Sequence, residues 1–264
     1  MKIYIRSELE ISHYKIHNEK VTKKTRLAVI ADLHNCMCED GGRQLFHVIE
    51  REEPDIVIIA GDFIDGSGVS VNTMHFLKLL AQRFNVIYGM GNHEKKLIER
   101  RKYKNNGSFE LLRKTLNECG LKILSNGNRI IADANIKISG LDLPLSYFKR
   151  YGHVPLGFCK MRRMLGEIDD RYYNILIAHD PLHFISYSDY GADLVLSGHL
   201  HGGVMRLPFF GGVISPELKL FPKYDAGEFE RNGSKMLVTK GLGMHTIHVR
   251  INDPTELMIV DISK

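Results

Sequence analysis

Five short apolar runs constrain this chain more than any other feature, because each one stops at polar, chemistry-bearing residues. Leu27-Ala28-Val29-Ile30-Ala31 is followed by Asp32-Leu33-His34, and Ile56-Val57-Ile58-Ile59-Ala60 by Gly61-Asp62-Phe63-Ile64-Asp65. Asn85-Val86-Ile87-Tyr88 leads into Gly89-Met90-Gly91-Asn92-His93-Glu94. Tyr173-Asn174-Ile175-Leu176-Ile177-Ala178 leads into His179-Asp180-Pro181, and Ala192-Asp193-Leu194-Val195-Leu196-Ser197 into Gly198-His199-Leu200-His201-Gly202-Gly203. Nearly continuous apolar runs of this length read as strands buried on both faces. Helical stretches at about 42–51 and 71–83 separate the first three, which predicts parallel βαβ packing. Right-handed crossovers would put every strand's carboxyl end on one edge, where open α/β sheets bind their ligands.

The rest of the chain fits around this frame. The first twenty residues read as alternating or hairpin-like strand: Lys2-Ile3-Tyr4-Ile5, Leu9-Glu10-Ile11 and Tyr14-Lys15-Ile16. Residues 94–119 read as helical with a break near Asn105-Asn106-Gly107. Strands are predicted at about 121–124, 129–132 and 135–139, a basic helix at about 157–167, and further strands in the Gly-rich tail. The expected architecture is α/β, one domain over 1–264 with two facing sheets.

Composition removes several alternatives. Apolar residues make up 44% and the formal net charge is only +5, which excludes disorder as the main state. The four cysteines, Cys36, Cys38, Cys119 and Cys159, form neither a disulfide scaffold nor a zinc ribbon and fit a reducing compartment. No apolar run approaches the roughly 18 residues of a membrane span. Arg6, Glu8 and Glu10 interrupt the amino terminus, so a leader is not expected and a cytoplasmic location is.

Taken singly, the strand-end residues are ordinary. Asp after Gly commonly makes a turn, and a lone His is commonly a hydrogen-bonded one. The His199-x-His201 pair is more pointed, since alternate residues of an extended chain share a face. Together, Asp32, His34, Asp62, Asn92, His179, His199 and His201 would gather two Asp, one Asn and four His at one sheet edge. Such groups need partners, and a divalent ion is the most efficient one. Oxygen and imidazole donors without thiolate suit Mn, Fe, Zn, Co or Ni. Seven ligands suit two ions sharing a carboxylate, which can clamp an in-line phosphoryl displacement.

The ordered series Asp32-Leu33-His34, Gly61-Asp62-Phe63-Ile64-Asp65, Gly91-Asn92-His93-Glu94, His179 and Gly198-His199-Leu200-His201 resembles the calcineurin-like metallophosphoesterases. The resemblance implies a two-sheet α/β sandwich of mixed sheets flanked by helices. It implies two transition-metal ions, with Mn, Fe or Zn expected. It assigns Asp32, His34 and His201 to one ion, Asn92, His179 and His199 to the other, and Asp62 to both. His93 would face the substrate phosphate, stabilising the transition state or protonating the leaving oxygen, with Asp65 hydrogen-bonded to it. The implied reaction is hydrolysis of a phosphomonoester or phosphodiester by a metal-bridging hydroxide.

Ala31 stands where many relatives have Ser, and Val204 where one subset has Gln. Lys240-Gly241-Leu242-Gly243 resembles a glycine turn of that subset, which includes cell-envelope phosphodiesterases and lipid-A-pathway hydrolases. A phosphorylated small molecule is the expected substrate, and a lipid-linked one, with peripheral membrane attachment, stays open. Lys95, Lys96, Arg100, Arg101, Lys102 and Lys104 read as a solvated helix face or as a basic rim; Lys160, Arg162 and Arg163 could serve similarly. Cys36 and Cys38 are expected as free thiols rather than ligands. His245 could face the substrate, with His248 nearby, and Phe209, Phe210 and Phe221 read as packing. Two other readings remain: a nuclease of the same fold, and a non-catalytic interaction scaffold. The retained His93 and full ligand series weigh against the scaffold. The sequence sets no oligomeric state.

Overall fold

The computed structural model describes residues 3–4, 8–36, 40–100, 107–149, 154–203, 205–207, 211–214, 220–244 and 250–264. In chain order the first half runs β1 (Ile3–Tyr4), β2 (Leu9–His17), β3 (Thr25–Ile30), α1 (Arg43–Arg51), β4 (Ile56–Ile59), α2 (Val71–Arg83), β5 (Asn85–Gly89), α3 (Asn92–Arg100), α4 (Ser108–Glu118), β6 (Ile123–Leu124), β7 (Gly127–Ile131) and β8 (Ile136–Gly140). The second half runs α5 (Phe158–Leu165), β9 (Tyr173–Ile177), α6 (Phe184–Tyr190), β10 (Leu194–Ser197), β11 (Met205–Leu207), β12 (Gly211–Ile214), β13 (Gly227–Arg231), β14 (Ser234–Val238), β15 (Arg250–Ile251) and β16 (Thr255–Ser263).

Two six-stranded sheets carry the fold, ordered β2-β16-β3-β4-β5-β6 and β13-β14-β10-β9-β8-β7. Strands β3, β4 and β5 are parallel, as are β8, β9, β10 and β14. The two-residue side-chain period sorts each run between two cores. Leu27, Val29, Ile56 and Ile58 face Ile136, Ile138, Ile175 and Leu196 between the sheets. Ala28, Ile30, Val57 and Ile59 turn outward to Phe76 and Leu77 of α2 and Leu112 of α4. On the second sheet, Leu176 and Val195 meet Met161 of α5 and Phe184 and Tyr187 of α6. This is the helix-flanked sandwich of mixed sheets expected from the sequence.

Two details differ from the sequence reading. A third, four-stranded sheet, β1-β15-β11-β12, stands beside the two large ones. Leu9-Glu10-Ile11 and Tyr14-Lys15-Ile16 belong to one continuous strand rather than a hairpin. The cause is long-range, since all nine residues of β2 pair with β16 at the far end of the chain. The break in the 94–119 segment agrees with the sequence: it separates α3 from α4, and Gly107 precedes α4 in a left-handed conformation. Among the described residues, no helix is long and apolar enough to cross a membrane.

Candidate metal centre

The carboxyl ends of β3, β4, β5, β9 and β10 converge, and the backbone there is unusual. Asp32, His34, Asp62, His199 and His201 all have φ between 47° and 71°. Left-handed conformation costs a non-glycine residue about 1–2 kcal/mol. It persists where the surroundings over-determine it, as functional sites often do. Here the loops brace one another: Asp32 N donates to Gly61 O (3.1 Å), His34 N to Asp62 O (3.1 Å) and Gly198 N to His179 O (3.0 Å). Across the two sheets, His199 N donates to both Asp32 oxygens at 3.1 and 2.9 Å.

These loops aim donor atoms at a common point. Asp32 Oδ1 lies 3.4 Å from His201 Nε2, 3.6 Å from His179 Nε2 and 3.8 Å from His34 Nε2. His34 Nε2 and His201 Nε2 face each other at 3.1 Å. Asp62 Oδ2 lies 3.1 Å from His179 Nε2, 3.8 Å from His34 Nε2 and 3.9 Å from His93 Nε2. Two donors each about 2.0–2.1 Å from one ion stand about 3 Å apart, close to the shortest of these separations. Two groupings of metal-ligand type result, Asp32 with His34 and His201, and Asp62 with His179 and His199. Asp62 Oδ2 stands between His34 of the first and His179 of the second. His34, Asp65 and His93 form a third grouping beside them.

The surrounding bonds fix which atoms are offered. His179 Nδ1 is 2.8 Å from the Ala60 carbonyl, which can only accept. The carbonyl therefore holds the Nδ1 proton and turns the Nε2 edge toward Asp62, the arrangement that orients an imidazole ligand. Asn92 places its amide oxygen 3.2 Å from Asp62 Oδ2 and 3.1 Å from His199 Nδ1. Turned over, the amide nitrogen would donate to both and the oxygen would accept from Lys96 Nζ at 3.1 Å. The oxygen-inward orientation suits a cation among these acceptors. On strained geometry, tautomer and donor chemistry, the residues fit bound metal.

Electrostatics agree. Burial drives the Asp32 carboxyl up to about 6, with the neighbouring Asp62 charge adding to it and His179 opposing. Burial also penalises charge on Asp62, yet His179, His93 and His34 hold its carboxyl well below the usual range. Burial disfavours charge on His179, but Asp62 and Asp32 outweigh it and lift the imidazole to about 10. A cation would compete with that proton for the same lone pair.

His93 stands beside the cluster. Its backbone N–H donates to Asp62 Oδ1 at 2.7 Å. Gly66 N donates to its Nδ1 at 2.9 Å, which leaves the neutral ring's proton on Nε2. Asp65 Oδ2 is 3.4 Å from the same Nδ1. Nδ1 thus meets both a donor and a carboxylate, of which the sequence suggested only the second.

Glu94 stands in the sequence motif without an assigned role. Fully buried, it accepts from Asp62 N (2.9 Å), Phe63 N (2.9 Å), Ile64 N (3.3 Å), Gly91 N (3.0 Å) and Tyr88 Oη (2.7 Å). It sits three residues after the Gly91 that precedes α3, so the bond back to Gly91 N resembles half of a capping box. That spacing was the available signal. Phe148, which no motif marked, packs edge-on against His199 at 5.5 Å between ring centres.

Other candidates lie apart. Lys95 pairs with Asp142 at 3.0 Å, Arg162 pairs with Glu167, and Lys160 sits over the Tyr147 ring. Cys36 points its sulfur toward Met244 O, outside the groupings, and Phe221 is 61% exposed rather than packed. Cys38, Arg101, Lys102, Lys104, Val204, Phe209, Phe210, His245, His248 and the Arg100 side chain lie outside the described residues.

The family model for calcineurin-like phosphoesterases matches residues 25–203, and the chain belongs to that family. It is 32% identical to an uncharacterized metallophosphoesterase of Aquifex aeolicus, over 96% of this chain and 92% of that one. It is 27% identical to the uncharacterized metallophosphoesterase YkuE of Bacillus subtilis, over 80% of this chain and 68% of that one. Among solved structures, TT1561 of Thermus thermophilus superposes with a TM-score of 0.49 at 10% identity, covering 83% of this chain and 90% of that one.

Proposed function

We propose that the protein hydrolyses phosphoric monoesters or diesters at a centre of two metal ions. Asp32, His34 and His201 would hold one ion, Asn92, His179 and His199 the other, with Asp62 shared between them. The observation that carries this reading is the Nε2 edge of His179, held toward Asp62 by the Nδ1 bond to Ala60. When bound, two such ions supply an acidified water and positive charge opposite the phosphoryl oxygens. The residues' own work is separate. Asp62 ties its Oδ1 to the His93 backbone, so that Oδ2 alone faces the cluster. His93 carries its proton on Nε2, the edge toward Asp62, and would donate it to a substrate oxygen as charge grows there. Gly66 and Asp65 hold that ring from its other edge.

The test is metal analysis combined with an activity screen across aryl phosphomonoesters, phosphodiesters and nucleic acids. Stripping with EDTA should abolish turnover, and Mn²⁺ should restore it better than Mg²⁺. Turnover indifferent to the chelator would overturn the reading.

A further inference from the structure

The family match ends at residue 203, yet the loops of one metal site rest on residues well beyond it. Asp32, left-handed at φ 53°, has its carbonyl capped by Gly243 N at 2.7 Å, and Ala31 O is capped by Leu242 N at 3.0 Å. The fit is tight: a methyl group on Gly243 would lie 2.3 Å from Leu33 O, and one on Gly241 2.7 Å from Asp32 Cβ. This turn is itself fastened by Arg250, which is 3% exposed. Its guanidinium donates to Gly243 O (2.6 Å from Nη2, 3.2 Å from Nε), Lys240 O (2.9 Å) and Gly241 O (3.4 Å), and through Nη1 to Asp253 Oδ2 (2.9 Å).

Asp253 reaches the other ligand loop. It is wholly buried, and its second oxygen, Oδ1, has no hydrogen-bond partner among the described residues. A methyl group on Gly202 would lie 2.3 Å from that oxygen, so Asp253 lies close against the backbone next to His201. The ion pair therefore spans the segment bearing Asp32 and His34 and the segment bearing His201. Those three residues are one of the metal-ligand groupings. Removing one partner of a buried pair leaves an uncompensated charge. The forked geometry also matters, because a lysine ammonium cannot serve three carbonyls and a carboxylate at once.

We infer that Arg250 and Asp253 are positioning residues that set the metal affinity of the Asp32–His34–His201 site, selectively over the site containing His179. The inference rests on the two-metal reading above. Its test is calorimetric titration of the EDTA-stripped full chain with Mn²⁺, in wild type and Arg250→Lys. Lost outer-shell partners typically weaken metal binding about 10- to 100-fold, and that loss is expected at one site only, with the second nearly unchanged. The Mn²⁺ resonance spectrum should correspondingly turn from a coupled pair to a single ion. A purely structural role would lower the melting temperature without separating the sites. Should Arg250→Lys not fold, Asp253→Asn makes the same comparison with the same expected split. Wild type and variant with two equal, tight sites, or a variant that loses both together, would overturn the inference alone. A wild type that binds no Mn²⁺ overturns the metal-centre reading and this inference with it.

Discussion

Glu94→Gln tests how the strained Asp62 loop is held. The carboxylate divides five donors: Oε1 takes Phe63 N, Ile64 N and Tyr88 Oη, and Oε2 takes Asp62 N and Gly91 N. A glutamine keeps one oxygen, and the lesser loss leaves it at the Oε1 position. Its NH₂ then faces the Asp62 and Gly91 N–H groups, donor against donor. Two hydrogen bonds to a charged acceptor are worth about 1.5–3 kcal/mol each. Burial and the Asp62 charge raise the Glu94 pKa, so neutralising it returns part of that loss. A net destabilisation of about 2–4 kcal/mol remains. For a chain of this size each kcal/mol shifts the midpoint by about 2–4 °C. The metal-free variant should therefore melt about 4–16 °C lower by scanning calorimetry. Because Asp62 N loses its anchor, Mn²⁺ affinity should fall as well. A variant that melts within about 2 °C of wild type with unchanged Mn²⁺ binding would refute the idea that Glu94 holds this loop.

Two further substitutions separate the roles in the centre. His93→Ala should retain both ions and lose about 10²–10⁴-fold in turnover, the range for a lost proton donor; metal loss on that change, measured by elemental analysis, would place His93 among the ligands instead. Asp62→Asn should weaken both metal sites together in a Mn²⁺ titration, and loss of a single ion would contradict its shared position.

Run length and polarity are properties of contiguous residues, so the two large sheets and the strand-end residues were legible from them. The predicted strand at Ile56-Val57-Ile58-Ile59-Ala60 is β4, Ile56–Ile59, because four apolar residues in sequence need two buried faces. Legibility stops where a partner lies far along the chain. Leu9–His17 takes its register from Thr255–Ser263, and nothing near Leu9 announces that. Arg250 and Asp253 meet the Asp32 loop only through tertiary closure, and Glu94 gathers donors from a loop about thirty residues earlier.

The glycines show how the same letter serves two physical demands. In the sequence a Gly followed by Asp reads as a turn. Gly61, Gly202 and Gly203 do take positive φ, at 95°, 67° and 85°. Gly91 and Gly198 serve space instead: a methyl group there would lie 2.2 Å from Asp62 Oδ1 or 2.3 Å from Asp32 Oδ2. Five of the twelve described non-glycine residues with positive φ are candidate ligands, where this backbone costs more than it does at glycine. Strained loops, buried carboxylates and facing imidazoles each raise the energy of the same small region. A bound cation would lower it on all three counts, by occupying the lone pairs, screening the carboxylates and tying the loops together. Metal affinity at this centre is then coupled to folding, and residues that brace the loops from behind act on it without touching an ion.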